Sequence, residues 1–299
     1  MAMLRGTFSS DLLVEGLREV FFLQYDEKSL IYPQIFEVKT SKHERETDRS
    51  VAGLTMPVAK SESAAITYED FVDGYEAEYI HSTYAKGIRM SEELIEDQLY
   101  GVMEKRSKAL ARVMRYRQEY DHASLFNSAN ATTVFTGGDG VALLTASHPR
   151  ADGGGNQSNI ATTDLTQSAL KTAITNFRNL TDDRGLLIGY TPKTLLIPNE
   201  LEFDAIELLN SSGRPYTADN EVNAVKGRLN VVIWDFLTDA DSWFILSNKS
   251  ADAPLSFTRT AVSFKEDGDF DTGDLKMKAR MRYSFGFSDW RWAYGSMGA

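Results

Sequence analysis

One long helical pattern constrains this chain more than any other feature. Between residues 91 and about 127, a single, mostly apolar stripe recurs at steps of three or four residues: Ile95, Leu99, Val102, Arg106, Leu110, Val113, Arg117 and Tyr120. Ser91 is placed to cap its start, and Gly101 is the only glycine or proline inside it. A helix of about 35 residues would be about 50 Å long, well beyond the ordinary globular helix. The pattern therefore predicts a scaffold helix.

Charge is divided along this predicted helix. Acidic residues fill its first turns, where the helix dipole favours anions: Glu92, Glu93, Glu96 and Asp97. Six basic residues follow in the later half: Lys105, Arg106, Lys108, Arg112, Arg115 and Arg117. Such a basic half is compatible with nucleic-acid contact, with a solvated face, or with pairing to an acidic surface.

An acidic hairpin is predicted just before the helix, in residues 47–87. Val51, Leu54, Met56 and Val58 indicate one strand, and the segment 68–83 indicates another. Residues 61–79 contain six acids and no base: Glu62, Glu69, Asp70, Asp73, Glu76 and Glu78. Because a two-stranded hairpin is marginal alone in water, it needs a partner surface. We favour pairing with the basic half of the helix, within or between subunits, over DNA binding.

The remaining segments predict a mixed α+β chain. Residues 1–46 indicate an arm, with a helix over 11–24 and an extended stretch over 31–38. Residues 130–162 are loop-rich, and residues 165–254 alternate helices and strands. Asn199, with Glu202 three residues on, resembles a capping box. From residue 255 the pattern is all strand: 257–264, 275–285 and 287–294.

Composition narrows the classes of function. With no cysteine, the chain has no disulfide framework and no thiolate site. The net charge of −11 is opposite to that of most proteins that grip DNA phosphates, yet suits a chain that surrounds DNA without holding it. We see no signal-peptide pattern and no apolar run long enough for a membrane, so we expect a product made in the cytoplasm.

No motif predicts catalysis, a cofactor or a metal. The four histidines, at 43, 81, 122 and 148, lack ligand spacing and are expected to be surface or satisfied residues. The glycine runs 137–140 and 153–155 lack the context of a phosphate loop, and Asp267, Asp269 and Asp271 indicate a turn rather than a calcium loop. A hydrolase built on residues 160–250 would need a nucleophile or paired carboxylates that the sequence does not offer, so we expect no enzyme.

The order of segments resembles the Hong Kong 97 fold of tailed-phage major capsid proteins, and most of all the major head subunits of Mu-like phages. The residues that carry the resemblance span nearly the whole chain: 144–149 (Leu-Thr-Ala-Ser-His-Pro), Asn159 and the helix 165–180, 194–198 (Thr-Leu-Leu-Ile-Pro) with the helix 203–209, 231–234 (Val-Val-Ile-Trp), 239–246, 280–286 (Arg-Met-Arg-Tyr-Ser-Phe-Gly), Trp290 and Arg291. Each motif is weak alone, and their order supplies the specificity.

The resemblance implies a division of the chain. Residues 1–46 would be the N-arm, 47–87 an extended loop reaching onto a neighbour, and 88–129 a peripheral domain with the long spine helix. Residues 130–254 would form an axial α/β domain around five-fold and six-fold axes, and 255–299 would return strands to the peripheral domain. Such subunits form icosahedral shells of pentamers and hexamers that enclose double-stranded DNA, with a portal and in some members decoration proteins.

The resemblance also sets expectations for assembly. No long scaffolding segment precedes the arm, so we expect a separate scaffold or a removed segment. Lys60 lies in the region where the family's founder forms a crosslink, but we predict cohesion without one. The candidate inter-subunit residues are Met56, Lys60, Glu62, Glu69, Asp70, Asp73, Glu76, Glu78, Lys105, Arg106, Arg112 and Arg115. The alternative is a nucleic-acid-binding protein that uses the basic half of the helix.

Overall fold

The computed structural model describes residues 5–97, 100–211, 213, 222–248, 253–269 and 271–298. A four-stranded sheet lies at one end of the fold, with the order β1 (Glu37–Thr40), β9 (Leu255–Gly268), β10 (Leu275–Gly286) and β4 (Ser82–Met90). β1 runs parallel to β9, and the other pairs are antiparallel. Chain segments more than 160 residues apart in sequence therefore form one sheet.

Two helices cover one face of this first sheet. α1 (Arg5–Asp26) and α4 (Tyr100–Asn127) pack on each other and on β4, β9 and β10. The buried side chains between them are almost all apolar: Leu17, Phe21, Met90, Met103, Leu110, Ala111, Met114, Phe264, Met277, Ala279, Met281 and Tyr283. The alternation of β10 places Met277, Ala279 and Met281 in this core, and so directs the residues between them to the open face.

A second, five-stranded sheet organises the larger core. Its order is β5 (Ile160–Ala161), β11 (Ala293–Ser296), β8 (Trp243–Ser247), β6 (Pro192–Ile197) and β7 (Asn230–Ile233). The helices α2 (Tyr32–Ile35), α5 (Gln167–Arg178) and α6 (Glu202–Asn210) also contribute to this core. The C-terminal part of α4 joins it through Ala123, Leu125 and Phe126, so α4 is shared by both cores.

The hairpin forms its own two-stranded sheet, and only the base of its second strand packs on the first sheet, through Ala77 and Tyr79 against Leu255 and Phe257. β2 (Arg45–Ala52) pairs with β3 (Val72–Ile80) in antiparallel register, with a bulge between Arg49 and Val51. Opposite the bulge, Gly74 has no room for a side chain, because an added Cβ would collide with Ser50. Residues 53–71 connect the two strands and carry one described turn near Ser63 but no strand.

The long helix is confirmed, but its predicted buried face is wrong. The helix is divided into α3 (Glu92–Glu96) and α4, and Leu99 lies outside the described residues. Val102, Val113 and Tyr120 are exposed, whereas the buried stripe is shifted by about one residue: Met103, Ser107, Leu110, Ala111, Met114, Gln118, Asp121 and Leu125. This stripe could not be recognised from apolar residues alone, because it contains buried polar residues. Ser107 donates to the Leu17 carbonyl at 2.9 Å, and Asp121 accepts from Tyr283 at 2.6 Å.

Several strand predictions also need correction. The strand expected near 51–58 lies at Arg45–Ala52, since Pro57 cannot donate to a ladder. The expected strand 68–83 is divided at His81 into β3 and β4, which belong to different sheets. Residues 32–35 form a helical turn with a proline near its start, not an extended stretch. Residues 287–292 are not a strand, and Asn199 begins a 3-10 turn rather than a capping box.

The helices predicted at 11–24 and 165–180 are confirmed as α1, which begins six residues earlier, and α5. β6, α6, β7 and β8 lie in the segment predicted to alternate helices and strands. Thr166 caps α5 by accepting from the Ala169 amide at 3.1 Å. Among the described residues, no helix is both long and apolar enough to cross a bilayer.

Candidate interaction surfaces

The distal part of the hairpin is an exposed apolar surface. Its large side chains are at least 45% exposed, and Tyr68 and Val58 reach 89% and 82%: Leu54, Met56, Val58, Ile66, Tyr68 and Phe71. We call residues 53–71 the hairpin tip. Contiguous exposed apolar groups of this kind mark protein interaction sites. Met56 and Lys60, two of the predicted contact residues, lie on this surface and are exposed.

The acidic residues of the hairpin have partners nearby rather than on α4. Glu78 accepts from Arg45 at 2.8 Å, and Glu76 forms a close ion pair with Arg49, both across the β2–β3 ladder. Glu69 pairs with Arg184 at 3.3 Å. Within the described chain no ion pair joins the acids at 62–78 to the bases at 105–117, so pairing between these two sets is not made inside the subunit. Glu62, Asp70 and Asp73 remain exposed.

Half of the basic residues on α4 serve the subunit's own fold. Arg115 donates to the backbone carbonyls of Tyr25 and Ser29 at 3.1 and 2.7 Å, and so ties the end of α1 to α4. Arg106 donates to the Arg89 carbonyl at 3.2 Å, and Arg117 pairs with Asp121 at 2.8 Å. The remaining cations, Lys105, Lys108 and Arg112, are exposed. This division weakens the alternative in which the basic half is a nucleic-acid site.

A basic row on the open face of the first sheet was missed from the sequence. Four successive outward positions on β10 are cations: Lys276, Lys278, Arg280 and Arg282. Lys276 has a close ion pair with Asp269, and Arg89 beside it pairs with Asp274 at 3.0 Å. Lys278 and Arg280 project without such a partner among the described residues. The alternation Lys-x-Lys-x-Arg-x-Arg within a strand was the signal that could have found this row.

Three of the four histidines are buried and hydrogen-bonded, as the scattered pattern predicts. His81 lies between the hydroxyls of Ser41 and Ser284, each at 2.9 Å. His148 stacks on Trp290 at 3.9 Å and has Asp139 at 2.7 Å. His122 lies between Tyr32 and Tyr283, and burial lowers its pKa to about 3. His43 is exposed.

The predicted loops carry turn chemistry. Asp269 accepts from the Asp271 amide at 3.2 Å and closes the β9–β10 turn, while its bond with Lys276 lowers its pKa. His148 and Gln157 bridge the glycine-rich segment between them, and Gly153 and Gly155 adopt positive φ angles. No cluster of three or more candidate metal ligands is present among the residues described.

These features define a class of protein before any relative is considered. The subunit has an exposed apolar hairpin, a charged open sheet face, and two cores joined by one helix. These features are typical of an assembly subunit whose exposed surfaces bind other chains. The sequence model of one family, described as "Phage capsid protein", matches residues 75–296. The chain therefore belongs to the phage capsid protein family, a family of structural proteins of the virion shell.

Solved structures support the same fold. The chain is similar to a protein in the capsid of cyanophage P-SCSP1u, with 13% identity, a TM-score of 0.56, and coverage of 91% of this chain and 89% of that one. It is similar to the capsid protein of Myoviridae phage XM1, with 11% identity, a TM-score of 0.55, and coverage of 88% and 90%. A virus-like particle from Pyrococcus furiosus gives 9% identity, a TM-score of 0.55, and coverage of 94% and 98%. No curated protein sequence matches the chain.

Proposed function

We propose that this chain is the major head protein of a tailed phage, and that it assembles as pentamers and hexamers into an icosahedral shell around double-stranded DNA. The observation that carries this proposal is the hairpin tip. Six large apolar side chains project from residues 53–71, away from both cores of the subunit. Leaving them in water is unfavourable by roughly 25 cal/mol for each Å² of apolar surface, so a partner surface is needed.

The Hong Kong 97 fold and the Mu-like grouping belong to the same proposal. The family match, the shared fold of the capsid structures, and the arm, hairpin, spine helix and two sheets support the fold. The Mu-like grouping rests on the resemblance of the sequence motifs. In that scheme residues 1–46 are the N-arm, 47–87 the extended loop, 88–129 and 255–299 the peripheral domain, and 130–254 the axial domain. The second sheet lies mainly in the axial segment, but its β11 comes from the last of these ranges.

The main proposed partners of this chain are other copies of itself. The structural relatives come from capsids and from a virus-like particle, which supports self-association. A scaffold, a portal and a decoration protein would join during assembly in the host cytoplasm. The packaged DNA would be enclosed without sequence-specific contact, which agrees with the net charge of −11.

The experiment is assembly of purified protein, followed by light scattering and negative-stain microscopy. The double variant Val58→Ser/Tyr68→Ser should lose particles by at least tenfold while its circular dichroism stays unchanged, because both side chains contact solvent in the subunit. Phe203→Ser is the matched control, since Phe203 is 75% exposed on α6, outside the hairpin and the loop that contacts it. A wild-type protein that stays monomeric in all conditions, with scaffold included, would overturn the proposal.

A further inference from the structure

The neck of the hairpin is held by one residue from a distant part of the chain, Arg184. Its Nε donates to the Gly53 carbonyl at 3.1 Å, and its Nη2 lies 3.3 Å from Glu69 Oε1. The last paired residues of the ladder are Ala52 and Val72. Arg184 therefore binds both sides of the hairpin just beyond the point where strand pairing stops.

Glu69 completes this contact by joining the two sides of the neck. Its Oε2 accepts from the Thr55 amide at 2.9 Å and from the Thr55 hydroxyl at 2.6 Å, while Oε1 faces Arg184. We call Arg184, Glu69, Thr55 and the Gly53 carbonyl the neck clasp. The side chains of Arg184 and Glu69 are only 17% and 31% exposed, so water screens their pair less than a fully exposed one.

Arg184 is presented by a short, well-braced turn. Asp182 accepts from the amides of Arg184 and Leu186, both at 2.8 Å, and Gly185 adopts a positive φ of 81° that favours glycine. Arg291 lies two residues before β11. It donates to Asp183 at 2.8 Å and to the Thr181 carbonyl at 3.0 Å. A continuous series of polar contacts thus leads from the second sheet to the hairpin neck.

We propose that Arg184 is a positioning residue that fixes the direction in which the hairpin leaves its own subunit, before the hairpin meets a neighbour. The base of the hairpin joins the first sheet at both ends, through residues 41–44 after β1 and through His81 before β4, and Tyr79 packs there against Phe257. The neck clasp adds an attachment at the other end of the ladder, to the turn that holds Arg184. Attachments at the base and at the neck define a direction, whereas the base alone leaves the far end of the hairpin without a fixed contact. If the hairpin direction sets how subunits meet, it also affects the diameter of the shell, and this consequence rests on the function proposed above. The neck clasp itself is a property of one subunit.

The test combines a local and a global measurement on the full-length protein. Arg184→Ala should raise the hydrogen-exchange rate of peptides covering residues 53–71 by about tenfold, because the Thr55–Glu69 neck loses its anchor. The same variant should give shells with a broader range of diameters in electron micrographs. Arg184→Lys keeps the charge but loses the planar fork, so it should fall between Arg184→Ala and wild type in both measurements.

Arg178→Ala is the matched control, since Arg178 is an exposed arginine at the end of α5, near in sequence but outside the clasp. Exchange unchanged in Arg184→Ala, or changed equally in Arg178→Ala, would overturn the clasp. Faster exchange combined with wild-type shell diameters would overturn the positioning role. If the wild type forms no shells, the proposed function fails, and the exchange measurement still decides whether the clasp exists.

Discussion

His122 is an ionisable residue in an aromatic environment. It is 1% exposed, stacks against Tyr32 and Tyr283, donates from Nδ1 to the Gln118 carbonyl at 2.7 Å, and has the Ser256 hydroxyl 2.9 Å from Nε2. A neutral ring protonated at Nδ1 satisfies both bonds, because a serine hydroxyl can donate to the bare Nε2. Burial favours the same state and lowers the pKa of His122 to about 3.

A pH dependence of stability follows from this burial. The unfolded chain takes up a proton at His122 below about pH 6.5, whereas the folded chain does not until about pH 3. The contribution of His122 to stability is therefore complete above pH 6.5 and is lost as the pH falls towards 3, by about 2 kcal/mol at pH 5. Urea unfolding of wild type and His122→Gln between pH 7.5 and 5 should show a shallower pH slope in the variant.

The exposed His43 supplies the control for this measurement. His43→Gln should leave the pH slope of unfolding as in wild type, because His43 faces solvent. An equal slope in wild type and His122→Gln would show that His122 is not held neutral. The sequence could predict a satisfied histidine here, but not its acid sensitivity, because the rings around it come from residues as distant in sequence as Phe285.

At the scale of elements, α4 shows where periodicity succeeds and where it fails. The helix itself could be predicted, because no breaker except Gly101 interrupts it. Its buried face could not be predicted from apolar residues alone, since Ser107, Gln118 and Asp121 are buried with hydrogen-bond partners supplied by α1 and β10. A stripe that mixes apolar and satisfied polar residues looks like a solvent face until those partners are known.

The corrected face of α4 predicts unequal effects of two similar substitutions. Leu110 is 2% exposed and lies in the core under the first sheet, so Leu110→Ala should reduce the free energy of unfolding by about 2–5 kcal/mol. Val113 is 50% exposed, so Val113→Ala should change it by about 0.5 kcal/mol or less. Urea denaturation of the two variants checks this pair. Equal losses, or a greater loss at Val113, would restore the face first predicted from the sequence.

At the scale of the whole molecule, charge is segregated rather than spread. The chain is acidic overall, yet the open face of the first sheet carries the cation row of β10. Three of the hairpin acids, Glu78, Glu76 and Glu69, pair with Arg45, Arg49 and Arg184 within the subunit. The pairing expected from the sequence between hairpin acids and α4 bases is not made inside the described subunit, and between subunits it stays a prediction, since charge alone does not specify which surfaces meet.

This segregation predicts a role for the β10 row in assembly. Lys278→Glu/Arg280→Glu should leave the midpoint of thermal unfolding within a few degrees of wild type, because neither side chain has an ion-pair partner among the described residues. The same change should reduce particle yield by tenfold or more, measured by sedimentation, through like-charge repulsion of an acidic neighbour.

Lys171→Glu/Arg178→Glu, on the exposed face of α5 and outside the candidate contact residues, is the comparison for this double variant. Normal particle yield from Lys278→Glu/Arg280→Glu would exclude the β10 row from subunit contacts. An equal loss in both double variants would indicate a general effect of net charge instead of a specific surface.

The membership of α4 in both cores has a mechanical consequence. Its N-terminal half is buried under the first sheet, its C-terminal part against the second, and no described break separates them between Tyr100 and Asn127. A load applied to either core passes to the other along about 40 Å of continuous helical hydrogen bonds rather than through a flexible linker. The subunit therefore behaves as a stiff strut along the axis of α4.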